Sequence, residues 1–171
     1  DGWYLRQDVI WHKPNPMPES VTNRCTKAHE YLFLLTKKRK YYFDAEAIKE
    51  PVAAATKARL AQDVEGQEGS SRVPGKTNGT MKAVGGGELR NKRSVWTVTT
   101  KPFKEAHFAT FPPDLIEPCI LAGSRSGDTV LDPFGGAGTS GLVAQRHGRD
   151  AVLCELNPAY IDIAQRRLAS T

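Results

Sequence analysis

Hydrophobic positions in this chain fall into short runs separated by Pro-, Gly- or charge-rich breaks, and their spacing sets out three parts. In residues 1–44, "YLRQDVIW" has strand character and runs into the Pro-rich loop "HKPNPMPES". "HEYLFLLT" and "KYYFD" then flank "KKRK", which predicts a β-hairpin with Lys37, Lys38, Arg39 and Lys40 at its tip. In residues 45–93, "PVAAATKARLAQ" predicts a short helix starting at Pro51. Almost no large apolar residue follows, and seven of the 15 glycines lie between Gly66 and Gly87. A flexible, basic insert is expected there.

The third part, residues 94–171, has a different rhythm. "SVWTV" reads as a short strand and "FPPDLIEPCILAG" as a helix that Pro118 should kink. "DTVLD" is a strand, and "GTSGLVAQRHG" a helix with Gly148 as a left-handed cap. "DAVLCE" is the next strand. "NPAYIDIAQRRLA" is a helix capped by Asn157, opened by Pro158, with Ile161, Ala164 and Leu168 on one face. Strand, helix, strand, helix at this spacing predicts a parallel α/β unit.

Bulk properties narrow the class. The 171 residues are 39% hydrophobic and 25% charged, enough for one domain with a sizeable core. A formal net charge of +5 suits a polyanionic partner as well as a plainly solvated surface. Three widely spaced cysteines, Cys25, Cys119 and Cys154, argue against a disulfide framework and for a reducing compartment, with Cys154 expected in the core. No run approaches the roughly 20 apolar residues of a membrane span, and no signal peptide opens the chain. Cys25 and His29 lack a second ligand pair, so no metal site is read.

The candidate chemistry sits in "TVLDPFGGAGTSG". Gly136, Gly138 and Gly141 satisfy G-x-G-x-x-G after a predicted strand and at the start of a helix, where backbone can approach a ligand closely. Glu155 ends the next strand, 17 residues after Gly138 and near the spacing of an acid that binds ribose hydroxyls. The plainer reading is that Glu155 caps the helix beginning at Asn157. A dinucleotide would not welcome Asp132-Pro133-Phe134 beside its pyrophosphate, and only 16 residues follow Glu155. A cationic nucleotide such as S-adenosylmethionine fits better, with Asp132 facing its methionine end and Glu155 its ribose.

The stretch "DPFGGAGTSGLVAQRHGRDAVLCELNPAYIDIAQRRL" resembles the S-adenosylmethionine-binding motif of site-specific DNA amino-methyltransferases, which act on adenine N6 or cytosine N4. "KEAHFATFPPDLIEPCILAGSRSGDTVLD" and the opening 1–44 are also similar to that family, in family order. The resemblance implies an α/β, Rossmann-like methyltransferase fold of the permuted class, in which the catalytic half precedes the cofactor half. It implies residues 1–44 as target-side strands, 45–93 in the target-recognition position, and 94–171 as the cofactor half. Asp132, Pro133, Phe134, Gly136, Gly138, Thr139 and Asn157 would line the cofactor and Glu155 would take its ribose. His107, Phe108, Ala109 and Thr110 would close over it. Trp11 and Lys13 would approach the target base, with Lys37, Lys38 and Arg39 on the DNA backbone. Double-stranded DNA as partner, a restriction–modification setting and a bacterial or phage-encoded cytoplasmic enzyme follow from the same resemblance.

One motif is missing. The family's catalytic tetrapeptide is Asp, Asn or Ser, then Pro-Pro, then an aromatic; the only Pro-Pro here is Pro112-Pro113, between Phe111 and Asp114. By family order the tetrapeptide belongs upstream of Asp1. The expectation is a C-terminal portion with an incomplete sheet, unpaired inner strand edges, and a need for an upstream segment or a second chain. An inactive cofactor- or DNA-binding remnant, or an RNA or small-molecule methyltransferase, is the alternative.

Overall fold

In the computed structural model, residues 2–60, 87–103 and 110–170 are described. The chain divides into two units, residues 1–48 with 93–171, and residues 49–92. The larger unit holds two small sheets. In the first, β1 (Tyr4–His12) pairs antiparallel with β2 (His29–Thr36). In the smaller unit, β3 (Glu50–Pro51) pairs antiparallel with β4 (Leu89–Arg90), closed by an Arg90–Glu50 ion pair of 3.0 Å. Its helix α1 (Ala54–Leu60) begins after Pro51, not at it, because Pro51 lies in β3. The Gly-rich stretch expected to be flexible falls almost wholly at 61–86, outside the described residues.

In the larger unit β5 (Val95–Thr97) adds a parallel strand to β1, giving the order β2-β1-β5. The second sheet is β6 (Thr129–Asp132) parallel to β7 (Asp150–Leu153). Around it run α2 (Pro113–Gly123), α3 (Thr139–Arg146) and α4 (Pro158–Ala169). Among the described residues each of β6 and β7 is paired on one edge only.

The predicted α/β unit is therefore present, strand by strand and helix by helix. α2 runs through Pro118 without interruption. α3 ends at a left-handed Gly148, φ 70°, whose N–H donates to Gln145 while that of Arg149 donates to Ala144. Asn157 caps α4 through Oδ1, which accepts from the Ala159 N–H at 3.0 Å. The core is small: Ile120, Val143 and Ala144, with Ile116, Val130 and Ala151 packed on it. α4 buries Ile163 and Ala164, while Ile161 is 36% exposed, so its buried stripe is rotated from the expected one.

Two expectations need correcting. The hairpin expected over residues 29–44 does not form. β2 spends its ladder on β1 across a loop running from residue 13 to 28, and Tyr41–Asp44 adds no strand. Cys154 is exposed, because β7 ends at Leu153 and Cys154 belongs to the turn above it.

Candidate functional site

The site is built at the carboxyl tips of β6 and β7. β6 stops because Pro133 cannot donate to a ladder. The chain then folds into a turn held by backbone bonds: Gly135 N–H to Cys154 C=O at 2.8 Å and Gly138 N–H to Gly135 C=O at 2.8 Å. Gly136 and Gly138 take φ of 50° and 77°, the left-handed region that glycine enters without strain. Gly138 is needed a second time for space, since a Cβ there would lie 2.8 Å from the Cβ of Ala164. At Gly141 a Cβ would lie 2.9 Å from Leu153 Cδ1. Gly138 and Gly141 thus let α4 and β7 close on the turn.

Glu155 joins the two strand tips. Its Oε2 accepts the Gly136 N–H at 2.8 Å, and its Oε1 accepts the N–H groups of Asn157 at 2.8 Å and Leu156 at 3.0 Å. These donors, the Asn157 N–H foremost, hold its carboxyl below the ordinary carboxylate range, against a smaller opposing effect of desolvation. A carboxylate offers roughly four lone-pair positions, so about one remains for a ligand hydroxyl. The plainer reading and the functional one coexist: Glu155 does organise the turn before α4, and it also reaches the glycine turn.

Asp132 faces inward. Its Oδ1 accepts the Phe134 N–H at 3.0 Å and its Oδ2 the Ser140 hydroxyl at 2.5 Å. This fixes the start of α3 relative to β6. Phe134 is 87% exposed, the only large face the turn offers outward among its own residues. A cavity of about 290 Å³ opens beside the turn, lined by Gly135, Gly136, Leu153, Glu155, Ile161 and Ala164 among others. Thr139 is buried at the first position of α3, and Asn157 spends its side chain on the cap. Thr110 is half-buried, and His107, Phe108 and Ala109 lie outside the described residues.

Sequence reasoning passed over Ser140, Phe103 and Arg167. Arg167 donates to the Ala137 carbonyl and to Thr139 Oγ1, and stacks on Phe103. The available signal was position: a cation three residues beyond Ala164, on the face of α4 that packs against the turn.

The candidate DNA contacts are not brought together. Trp11 is 5% exposed, its indole N–H on Val98 C=O at 2.8 Å, with the Lys13 ammonium 4.4 Å from its ring centroid. Lys13 also pairs with Glu30. Lys37, Lys38 and Arg39 follow Thr36, which lies opposite Tyr4 at the other end of β1. At roughly 3.3 Å per residue, the two groups are separated by about 26 Å of strand.

A glycine turn bonded to an acid, at the tips of two parallel strands with a helix after each, defines an α/β fold of Rossmann-like type. The DNA methylase family matches residues 1–166, and this chain belongs to that family. It is 50% identical over 168 residues to the type II methyltransferase M.Cfr9I of Citrobacter freundii, covering 98% of this chain and 45% of that protein. It is 44% identical over 168 residues to M.SmaI of Serratia marcescens, covering 98% and 47%. The chain spans about half the length of the curated relatives it matches. Among solved structures it resembles the cytosine-N4-specific PvuII DNA methyltransferase, with TM-score 0.67, 20% identity, and 97% and 51% of the two chains covered. It also resembles M1.HpyAVI in complex with SAM, with TM-score 0.61, 22% identity, and 98% and 63% covered. These likenesses show the same fold.

Proposed function

We propose that this chain forms the S-adenosylmethionine-binding part of a site-specific DNA methyltransferase, which methylates an exocyclic amine, adenine N6 or cytosine N4, in a restriction–modification setting. The observation that carries the reading is the Gly136–Glu155 clamp across neighbouring strand tips. The residues fit the cofactor. Glu155 stays ionised and keeps room for a ribose hydroxyl, and a second hydroxyl would displace one of its N–H donors. Gly136 presents bare backbone: a Cβ there would meet nothing closer than Phe134 O at 3.9 Å. Phe134 offers an open ring face, while Thr139 and Gly138 are buried and support the turn from behind. Asp132 acts from behind, by holding Phe134 and Ser140.

S-adenosylmethionine would supply an activated methyl group; the residues here bind and orient it. Orientation and fixed dipoles are where most of the rate gain of such a transfer arises. A base inside a duplex is out of reach of such a pocket, so the target must be flipped out. The groups that grip the acceptor amine belong to the Pro-Pro tetrapeptide, which these 171 residues do not contain. We therefore assign that motif to a segment upstream of Asp1 or to a second chain. Double-stranded DNA is the partner, and Lys13 lies at the carboxyl end of β1, where ligands approach an open α/β sheet. Three free thiols suit an intracellular setting.

Calorimetry of the 171-residue chain with S-adenosylmethionine and, separately, NAD tests the first part. Uptake of S-adenosylmethionine alone is expected; preference for NAD would overturn the reading. Methyl transfer to duplex DNA is expected only when an upstream half bearing the tetrapeptide is supplied. Transfer by the chain alone would refute the assignment of the catalytic motif.

A further inference from the structure

The turn between the two left-handed glycines is held at one more point, by a residue of α4. Arg167 stands in the last turn of α4, three residues after Ala164, the residue Gly138 touches. Its Nη1 donates to the Ala137 carbonyl and, at 3.2 Å, to the Thr139 hydroxyl. The Phe103 ring lies against the guanidinium, its centroid 4.7 Å from Cζ.

The Ala137 carbonyl and the Gly138 N–H belong to one planar peptide unit. That N–H is held by Gly135 C=O at 2.8 Å. Arg167 therefore grips one end of the peptide and Gly135 the other, so the unit cannot rotate without breaking a bond. The peptide two steps earlier, 135–136, supplies that accepting carbonyl, and Glu155 grips its other end through the Gly136 N–H. An acid past the end of β7 and a base from α4 thus set the orientation of two of the turn's peptides, which its glycines leave free. A cation is an unfavourable neighbour for the amino end of a helix, since that end already carries partial positive charge. Arg167 sits there, beside the first residue of α3, because directed bonds and the Phe103 ring hold it.

We propose that Arg167 is a positioning residue of the cofactor turn: stacked on Phe103, it fixes the Ala137–Gly138 peptide and keeps the turn in its ligand-receiving form. This rests on the reading of the turn as the S-adenosylmethionine site. Arg167 acts through Ala137 and Thr139, and Phe103 acts through Arg167.

Amide hydrogen exchange and calorimetry on the whole chain test it, with Arg167→Ala, Arg167→Lys and Phe103→Leu. In Arg167→Ala the Gly138 amide should exchange at least about tenfold faster, the loss expected for a charged hydrogen bond, while β6 and β7 amides stay near wild-type rates. S-adenosylmethionine affinity should fall by about tenfold or more. Arg167→Lys keeps the charge but loses the planar fork, and Phe103→Leu loses only the stack; both should fall between wild type and Arg167→Ala. Unchanged Gly138 exchange overturns the proposal, as does an equal loss of protection in β6 and β7, which would mark a merely structural residue. If Arg167→Ala fails to fold, Arg167→Lys and Phe103→Leu decide it: wild-type exchange at Gly138 in both overturns it. If the wild-type chain itself takes up no S-adenosylmethionine, the cofactor reading falls, and the exchange result still stands or falls separately.

Discussion

At Glu155, three backbone N–H groups converge on one carboxylate, and that convergence has a pH signature. A carboxyl held below its ordinary range stabilises the fold fully above the unfolded value of about 4.3, and this contribution is lost as pH falls through the lowered folded value. Glu155→Gln removes it. The gap in melting temperature between wild type and variant should therefore be widest near about pH 6 and narrow as pH falls below the ordinary carboxylate range; a gap that stays constant would disprove the linkage. The glycines separate conformation from space. Gly138→Ala meets both a left-handed φ and the Ala164 methyl, and should cost about 2–4 kcal/mol in denaturant unfolding. Gly136→Ala meets only the φ, and should cost about 1–2 kcal/mol. The sequence pattern marks both positions alike, and only the packing of α4 tells them apart.

Among the elements, α4 was legible almost to the residue. Asn157, Pro158 and the basic last turn announce its ends through local chemistry, so neighbours in space were not needed. Asn157→Ala should cost about 1 kcal/mol, with Asn157→Ser close to wild type, measured by thermal or chemical unfolding. Which stripe of α4 is buried was not legible from apolar spacing alone, because Arg167 belongs to that stripe and its guanidinium finds partners from outside α4, the Ala137 carbonyl and the Thr139 hydroxyl among them. The hairpin that did not form teaches the same point at β1. Two apolar runs around a charged turn satisfy the hairpin pattern, but β1 competes for β2 and offers eight residues of register. Arg6, at a shift of that register, donates to Lys38 and Arg39 carbonyls, each at 2.9 Å, and to the Thr36 hydroxyl. The turn that looked like a hairpin tip is thus tied down onto β1.

For the whole molecule, that same pairing separates the cations. A duplex laid across the carboxyl ends of β1 and β5 would meet Lys13 and miss Lys37, Lys38 and Arg39. With duplex DNA bound by the chain, Lys13→Ala should lower the slope of log affinity against log salt by about 1, as for one lost phosphate contact. The combined Lys37→Ala, Lys38→Ala and Arg39→Ala variant should change it by far less; a larger effect from the triple variant would place DNA at the other end of β1. Every feature the sequence determined by itself is local: the strand–helix–strand–helix order, the caps of α3 and α4, the glycine turn and its acid 17 residues on. Each is written within a few turns of chain, where φ preferences and hydrogen bonding between near neighbours decide. The tertiary structure alone decided what long-range pairing decides: β2's choice of β1, the distance between two basic groups, the exposure of Cys154, and the arginine that clamps the turn. No local preference encodes these, because each depends on which distant surface arrives to complete a ladder or accept a proton.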